Sequence, residues 1–281
     1  MEYVTLNNGV TMPMLGYGVY QIPDGPQTER GVRDALEVGY RLIDTAQAYG
    51  NEASVGAAIA ASGIDRADLF VTTKVWIANA GEAKAAQSID ESLAKLGLDY
   101  LDLLLVHQPF GDYYGTWRAM EHAYQAGQLR AIGVSNFYPD RLIDLVTFSE
   151  VKPMVNQVET HVFFQQAKAR EYMAKYGVQA ESWGPFAESR NGLFTNPVLQ
   201  AVADKHGKTT AQVALRFLIE GGVVVIPKST HRERIAENLD VFDFALDADD
   251  TAAIGRLDLG KSQFFHHADP ETAEMFMGFA R

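Results

Sequence analysis

Short apolar runs recur along the chain and each closes on a polar residue: LGYGVY (15–20), YRLIDT (40–45), LFVTTK (69–74), LDLLLVH (101–107), RAIGVSN (130–136), MVNQVE (154–159), VQAESW (178–183) and VVVIPKS (223–229). Several are continuously apolar, the pattern of parallel strands buried on both faces. Amphipathic stretches separate them. Ile89, Leu93 and Leu96 mark one face of a helix over 82–96, and Val213, Phe217 and Leu218 mark another that starts after Thr209 and Thr210. Eight strand–helix alternations with no Pro/Gly/Ser-rich linker predict a single (β/α)8 TIM barrel domain over residues 1–281, since such barrels run to about 250 residues as one unit. Two doubly wound domains are the alternative. The opening VTLNNGVTMPML predicts a hairpin with a type I′ turn at Asn8-Gly9, closing the barrel floor. Segments 185–197 and 259–281 read as long irregular loops on the C-terminal face, where function gathers.

Composition narrows the partners. With 36 acidic and 24 basic residues the formal charge is -12, and so acidic a body repels phosphate backbones and anionic lipid. Neither nucleic acid nor membrane is expected, and the protein reads as a monomer acting on a small molecule. The chain has no cysteine, which excludes disulfides, zinc–thiolate clusters and thiol nucleophiles. Its N-terminus lacks the basic start and apolar core of a signal peptide, and no stretch approaches the about 18 apolar residues of a membrane span. A cytoplasmic location is expected. No glycine-rich dinucleotide or triphosphate loop, no metal-binding His pair and no G-x-S-x-G elbow occurs.

In such a barrel the C-terminal strand ends share one site. They carry Asp44, Lys74, His107, Ser135 with Asn136, Gln157 with Glu159, Trp183, and Lys228 with Ser229. Tyr49, five residues past Asp44, returns over the same mouth. A phenol has a pKa of about 10, too high for efficient proton transfer near neutrality unless a cation lowers it. Lys74 supplies that cation, Asp44 holds it charged, and His107 is placed to donate to a substrate carbonyl. Taken singly, Asp44 reads equally as a helix cap, Tyr49 and His107 as core, and Lys74 as half of a structural ion pair. Their convergence favours a proton donor with its tuning shell.

The strings Asp44 with Tyr49, VTTK, LLLVH, GVSNF (133–137), NQVE (156–159) and IPKST (226–230) resemble the aldo-keto reductase superfamily, in particular its bacterial branch of 2,5-diketo-D-gluconate reductases and prostaglandin F synthase-like enzymes. The resemblance spans nearly the whole chain. It implies a barrel that binds NADPH without a Rossmann fold and passes the 4-pro-R hydride to an aldehyde or ketone. Tyr49 would be the general acid, with Asp44 and Lys74 tuning it and His107 orienting the carbonyl. Ser135, Asn136 and Gln157 would hold the carboxamide, and Trp183 would stack on the nicotinamide where many members have tyrosine. Val19, Tyr20 and Asp44 complete that end of the cofactor site. Gly184, Pro185, Phe186 and Glu188 fall in an altered pyrophosphate loop. Lys228, Ser229, Thr230, Arg234 and Asn238 match the adenosine end with its 2′-phosphate, where two cations and a hydroxyl suit a dianion. Tyr20, Tyr49, Trp76, His107, Phe110, Phe264 and Phe265 would surround the substrate, with His266 and His267 in the same tail loop.

Two other readings remain beside the reductase. One is a cofactor-bound regulatory barrel, because the fold also resembles potassium-channel β-subunits. The other is a Schiff-base aldolase using Lys74.

Overall fold

The computed structural model describes residues 1–280. Strands β1 (Tyr3–Thr5) and β2 (Thr11–Pro13) form the antiparallel opening hairpin. Its turn is not type I′, which needs positive φ at both central residues. Gly9 N–H donates to Leu6 O (2.9 Å), Leu6 N–H donates to Val10 O (2.8 Å), and Gly9 alone in the turn is left-handed, at φ 87°. This is a type I turn closed by a glycine bulge. The barrel selects it, because Asn7 and Asn8 are tied by their side-chain amides to Pro153 O and Arg130 O (2.9 Å each), ahead of the strands that follow. The hairpin thus covers the floor.

The barrel strands are β3 (Tyr17–Gly18), β4 (Leu42–Asp44), β5 (Phe70–Val75), β6 (Leu103–Val106), β7 (Ile132–Ser135), β8 (Val155–Glu159), β9 (Gln179–Trp183) and β10 (Val224–Val225). They pair in parallel in chain order. A parallel bridge from Leu15 to Val225 closes the ring, with Gly16 N–H donating to Val225 O at 2.8 Å. One closed sheet leaves no edge and excludes two doubly wound halves. β5, β6 and β7 are buried along their whole length, which explains their unbroken apolar runs.

Helices α1 (Pro26–Val38), α2 (Glu52–Ala61), α3 (Glu82–Leu96), α4 (Tyr113–Gln125), α5 (Pro139–Phe148) and α6 (Ala167–Tyr176) alternate with the strands. α3 has the bounds its periodicity predicts and buries Ile89, Leu93 and Leu96. After β9 come α7 (Pro197–His206) and α8 (Thr210–Glu220), and α8 begins in a capping box between Thr209 and Gln212. α9 (Arg232–Leu239) and α10 (Ala248–Gly255) follow β10. α2 and α3 meet closely at Gly56, where an added Cβ would lie 2.3 Å from Leu96 O. That backbone cannot yield as a side chain can. Gly56→Ala is therefore expected to cost about 2 kcal/mol and lower Tm by roughly 5 °C in a thermal melt.

The C-terminal segment departs from the expected irregular loop. It contains helix α11 (Pro270–Met277), started by Pro270 at its first position. The sequence pattern is weak because Thr272 and Phe276 are its only buried residues; docking of the Phe276 ring onto Trp76, Phe110 and Phe265 orders it. The 185–197 segment is a 3-10 turn (Ala187–Thr195) in which Ala187, Glu188, Ser189 and Asn191 all take positive φ.

Candidate active site

Parallel strands in a closed ring bring their C-terminal ends to one mouth. Asp44 lies opposite Thr72 in the β4–β5 register, and Lys74, two residues on, faces the same interior. Lys74 Nζ is fully buried and reaches Asp44 Oδ1 at 2.5 Å, Thr45 O at 2.9 Å and Tyr49 OH at 3.5 Å. Tyr49 ends a 3-10 turn (Gln47–Tyr49) directly after β4. Gln47 braces that turn to the next loop, its Oε1 accepting from Trp76 N–H (2.8 Å) and Asn79 Nδ2 (2.9 Å). The His107 ring stands edge-on to Tyr49, 5.7 Å between centroids.

These contacts set the protonation states. Burial works against the Lys74 ammonium, but the Asp44 carboxylate paired with it outweighs that cost and holds the lysine above its ordinary range. Burial, with the Lys74 charge and His267 adding to it, drives His107 well below the usual imidazole range, so it is neutral at pH 7. Its Nδ1 is buried with no hydrogen-bond partner. The Tyr49 phenol runs against expectation: burial pushes it up to about 12, and the pull of Lys74 offsets only part of that. Desolvation of a phenolate outweighs one ammonium at 3.5 Å.

The residues expected to hold a carboxamide lie together on β7 and β8. Ser135 Oγ donates to Gln157 O (2.9 Å), and Gln157 Nε2 donates to Asp44 Oδ2 (3.0 Å). Asn136 sits at φ 64°, the left-handed region, where non-glycine residues cluster at functional sites. Its Nδ2 contacts His107 O, Gln108 Oε1 and Ser135 Oγ at 3.1–3.4 Å, three acceptors for two hydrogens. Trp183 Nε1 donates to Asn136 Oδ1 at 2.8 Å, which fixes the indole at the mouth. Val19 is buried, with its N–H donating to Asp44 O (3.1 Å), and Tyr20 is exposed with its ring 5.0 Å from Tyr49.

Across the mouth, Gly184 turns the chain at φ 64° into a loop with buried Pro185, half-buried Phe186 and exposed Glu188. At the far end, Lys228 and Arg234 are exposed and make no ion pair among the described residues, whereas Arg232 is held by Asp34 and Glu37 (2.9 and 2.6 Å). Ser229, Thr230 and Asn238 adjoin them, and Ser229 Oγ accepts from His231 N–H at 3.1 Å. The arrangement fits a bound dinucleotide: an indole platform, polar groups at the barrel axis and free cations beyond.

The substrate wall is only partly as expected. Trp76 lies 5.1 Å from His107. Phe110 makes no ring contact with Tyr49 or His107 and instead stacks under Phe276 (5.6 Å) and His267 (6.0 Å). Phe264 belongs to the platform side, 5.2 Å from Trp183 and beneath the Arg190 guanidinium, because Ser262 Oγ anchors its N–H (3.0 Å). Phe265 joins the wall through Phe276 (5.4 Å). Of the tail-loop histidines expected in the wall, His267 stacks with Phe276 and its Nε2 meets Gln108 Oε1 at 2.9 Å; Phe276 and Phe279, which comes 5.9 Å from Trp76, were missed in the sequence. Two phenylalanines near a chain end carry no periodic signal.

Among the described residues no helix is long and apolar enough to cross a membrane. The aldo/keto reductase family model matches residues 14–258. The chain is 46% identical over 257 residues to glyoxal reductase of Bacillus subtilis (strain 168), covering 91% of this chain and 92% of that protein. It is 44% identical over 271 residues to morphine 6-dehydrogenase of Pseudomonas putida, covering 92% and 91%. The crystal structure of a Bombyx mori aldo-keto reductase in complex with NADP superposes with a TM-score of 0.89 at 34% identity, over 97% and 96% of the two chains. The chain belongs to the aldo/keto reductase family, and so it is an oxidoreductase.

Proposed function

We propose that the protein reduces aldehydes and ketones to alcohols with NADPH, Tyr49 delivering the proton. The observation that carries this is the buried Asp44–Lys74 pair reaching the Tyr49 hydroxyl beside a neutral His107. NADPH, when bound, supplies the hydride. Tyr49, protonated throughout the neutral range, gives its proton to the carbonyl oxygen, and Lys74 stabilises the phenolate left behind. Asp44 keeps that ammonium in place. His107 donates a hydrogen bond that orients the carbonyl, a task suited to a neutral ring. Ser135, Asn136 and Gln157 hold the carboxamide and Trp183 supports the ring. Tyr20, Trp76 and Phe265 with Phe276 keep water from the reacting carbon.

A Schiff-base role for Lys74 is disfavoured by the same pair, since an amine held charged by Asp44 is no nucleophile. Relatives named for glyoxal and for morphine support a pocket that takes α-dicarbonyls as well as larger ketones; keto-sugars belong to the same range. The protein is proposed to work as a cytoplasmic monomer on such small molecules. Loss of NADPH absorbance across a panel of carbonyls, glyoxal included, tests the activity. Turnover of at least the α-dicarbonyls is expected, along with quenching of tryptophan emission by NADPH through Trp183. A panel with no turnover and no quenching would remove the reading.

A further inference from the structure

Glu181 is a buried acid that the proposed chemistry does not use. It lies fully buried on β9, opposite Gln157 in the β8–β9 register. Gln157 Nε2 donates to Glu181 Oε2 and to Asp44 Oδ2, both at 3.0 Å. An amide nitrogen has two hydrogens, and an ionised carboxylate only accepts. Both hydrogens are therefore spent across the barrel axis, and the amide oxygen is turned away from the acids. Resting on the reductase reading above, we propose that Glu181 is a positioning residue: an uncharged carboxylic acid that holds the Gln157 amide so that Gln157 Oε1 is presented as the acceptor for the nicotinamide carboxamide.

Charge counting supports the uncharged form. The charged groups that face Glu181 are Asp44 on β4 and Lys74 on β5, and Lys74 already pairs with Asp44 at 2.5 Å. β10 adds only Val224 and Val225, and Glu159 on β8 is engaged by Ser262, Gln263 and His161. Behind β9, α6 turns Lys168, Glu171 and Lys175 to solvent and Arg170 to Gly221 O. A second carboxylate would be an unpaired buried charge, which is strongly unfavourable. Burial first, then Asp44, raises the Glu181 carboxyl well above the ordinary carboxylate range, against the pull of Gln157 and Lys74. Glu181 Oε1, buried without a partner, is likewise less costly as part of a neutral acid. Ionisation at alkaline pH would set Glu181 in competition with Asp44 for Lys74 and add negative charge behind the Tyr49 phenolate.

Two variants separate orientation from charge. Glu181→Leu removes the acceptor, whereas Glu181→Gln keeps an acceptor oxygen and cannot ionise. Fluorescence titration is expected to show NADPH Kd raised about tenfold in Glu181→Leu, equivalent to about 1.4 kcal/mol, with Glu181→Gln recovering most of the loss. Wild-type kcat should fall as pH rises through the Glu181 ionisation, and that limb should be missing in Glu181→Gln. In the cofactor-free protein, the infrared carbonyl stretch of a buried protonated carboxyl should be present in wild type and absent in Glu181→Gln. Equal Kd in wild type and a folded Glu181→Leu, or a Glu181→Gln as damaged as Glu181→Leu, overturns the positioning role. A missing wild-type infrared band, or one that persists in Glu181→Gln, overturns the uncharged acid. Should Glu181→Leu not fold, the pH and infrared comparisons with Glu181→Gln decide. If wild type binds no NADPH, the reductase reading and the carboxamide role fall together, while the infrared result still judges the buried acid.

Discussion

Tyr49→Phe is expected to lower kcat by about 10²–10⁴-fold, the range of a general acid, while NADPH affinity and Tm stay close to wild type. The substitution removes one oxygen and keeps the ring that packs between Tyr20 and His107. Among the described residues the hydroxyl takes only the long 3.5 Å contact from Lys74, so little folding energy depends on it. Steady-state kinetics beside a cofactor titration make the measurement. A variant keeping more than about half of wild-type kcat would take the proton-donor role from Tyr49. The pH dependence has a defined sign. With the phenol raised to about 12, the donor stays protonated through the neutral range, and its own ionisation removes activity only at strongly alkaline pH. A loss near pH 8 in wild type would have to come from another group, and Glu181, which burial pushes up to about 8, is the proposed one.

Arg234→Ala is expected to weaken NADPH by about 10- to 150-fold, from roughly 1.5–3 kcal/mol for a hydrogen bond to a charged group, and to change NADH much less. Arg232, two residues earlier on α9, makes the useful contrast. It is spent on Asp34 and Glu37 of α1, whereas Arg234 and Lys228 stay exposed beside Ser229. Raised salt should weaken NADPH more than NADH, because screening acts on the additional phosphate charge. Dissociation constants for both cofactors at two ionic strengths provide the check. Equal losses for the two would assign Arg234 to the adenine or to the fold.

Much of this molecule is legible in its sequence for a specific reason. A barrel strand buried on both faces must be a short apolar run, and a charged residue closing such a run, as Lys74 closes LFVTTK, has few structural excuses. The strand order, the mouth and the acid–base cluster follow from that. The Tyr49 phenol does not, since its raised pKa depends on how much water the folded rings exclude. Nor does the hairpin turn, where Asn8-Gly9 suits two turn types and contacts with Arg130 and Pro153 choose between them. Glu181 did leave a signal, a carboxyl inside the strand VQAESW rather than at its end. Its meaning appears only when β8 places Gln157 opposite it. Phe276 gave none, because it is the one buried aromatic residue of α11 and a single position has no period.

The end of β8 ties two separate stretches of chain together. Glu159 accepts from Ser262 Oγ (2.5 Å) and Gln263 N–H (2.8 Å), and Gln263 in turn accepts from Arg190 and Asn191 in the turn after β9. Glu159 thus pins the tail to β8 while Gln263 joins the tail to the turn after β9, so the stretch that carries Phe264 and Phe265 is braced from both sides. On the reductase reading, an exchange in the tail that admits a bulkier carbonyl is expected to alter the turn after β9 as well, so that substrate range and cofactor exchange would vary together among variants of this chain.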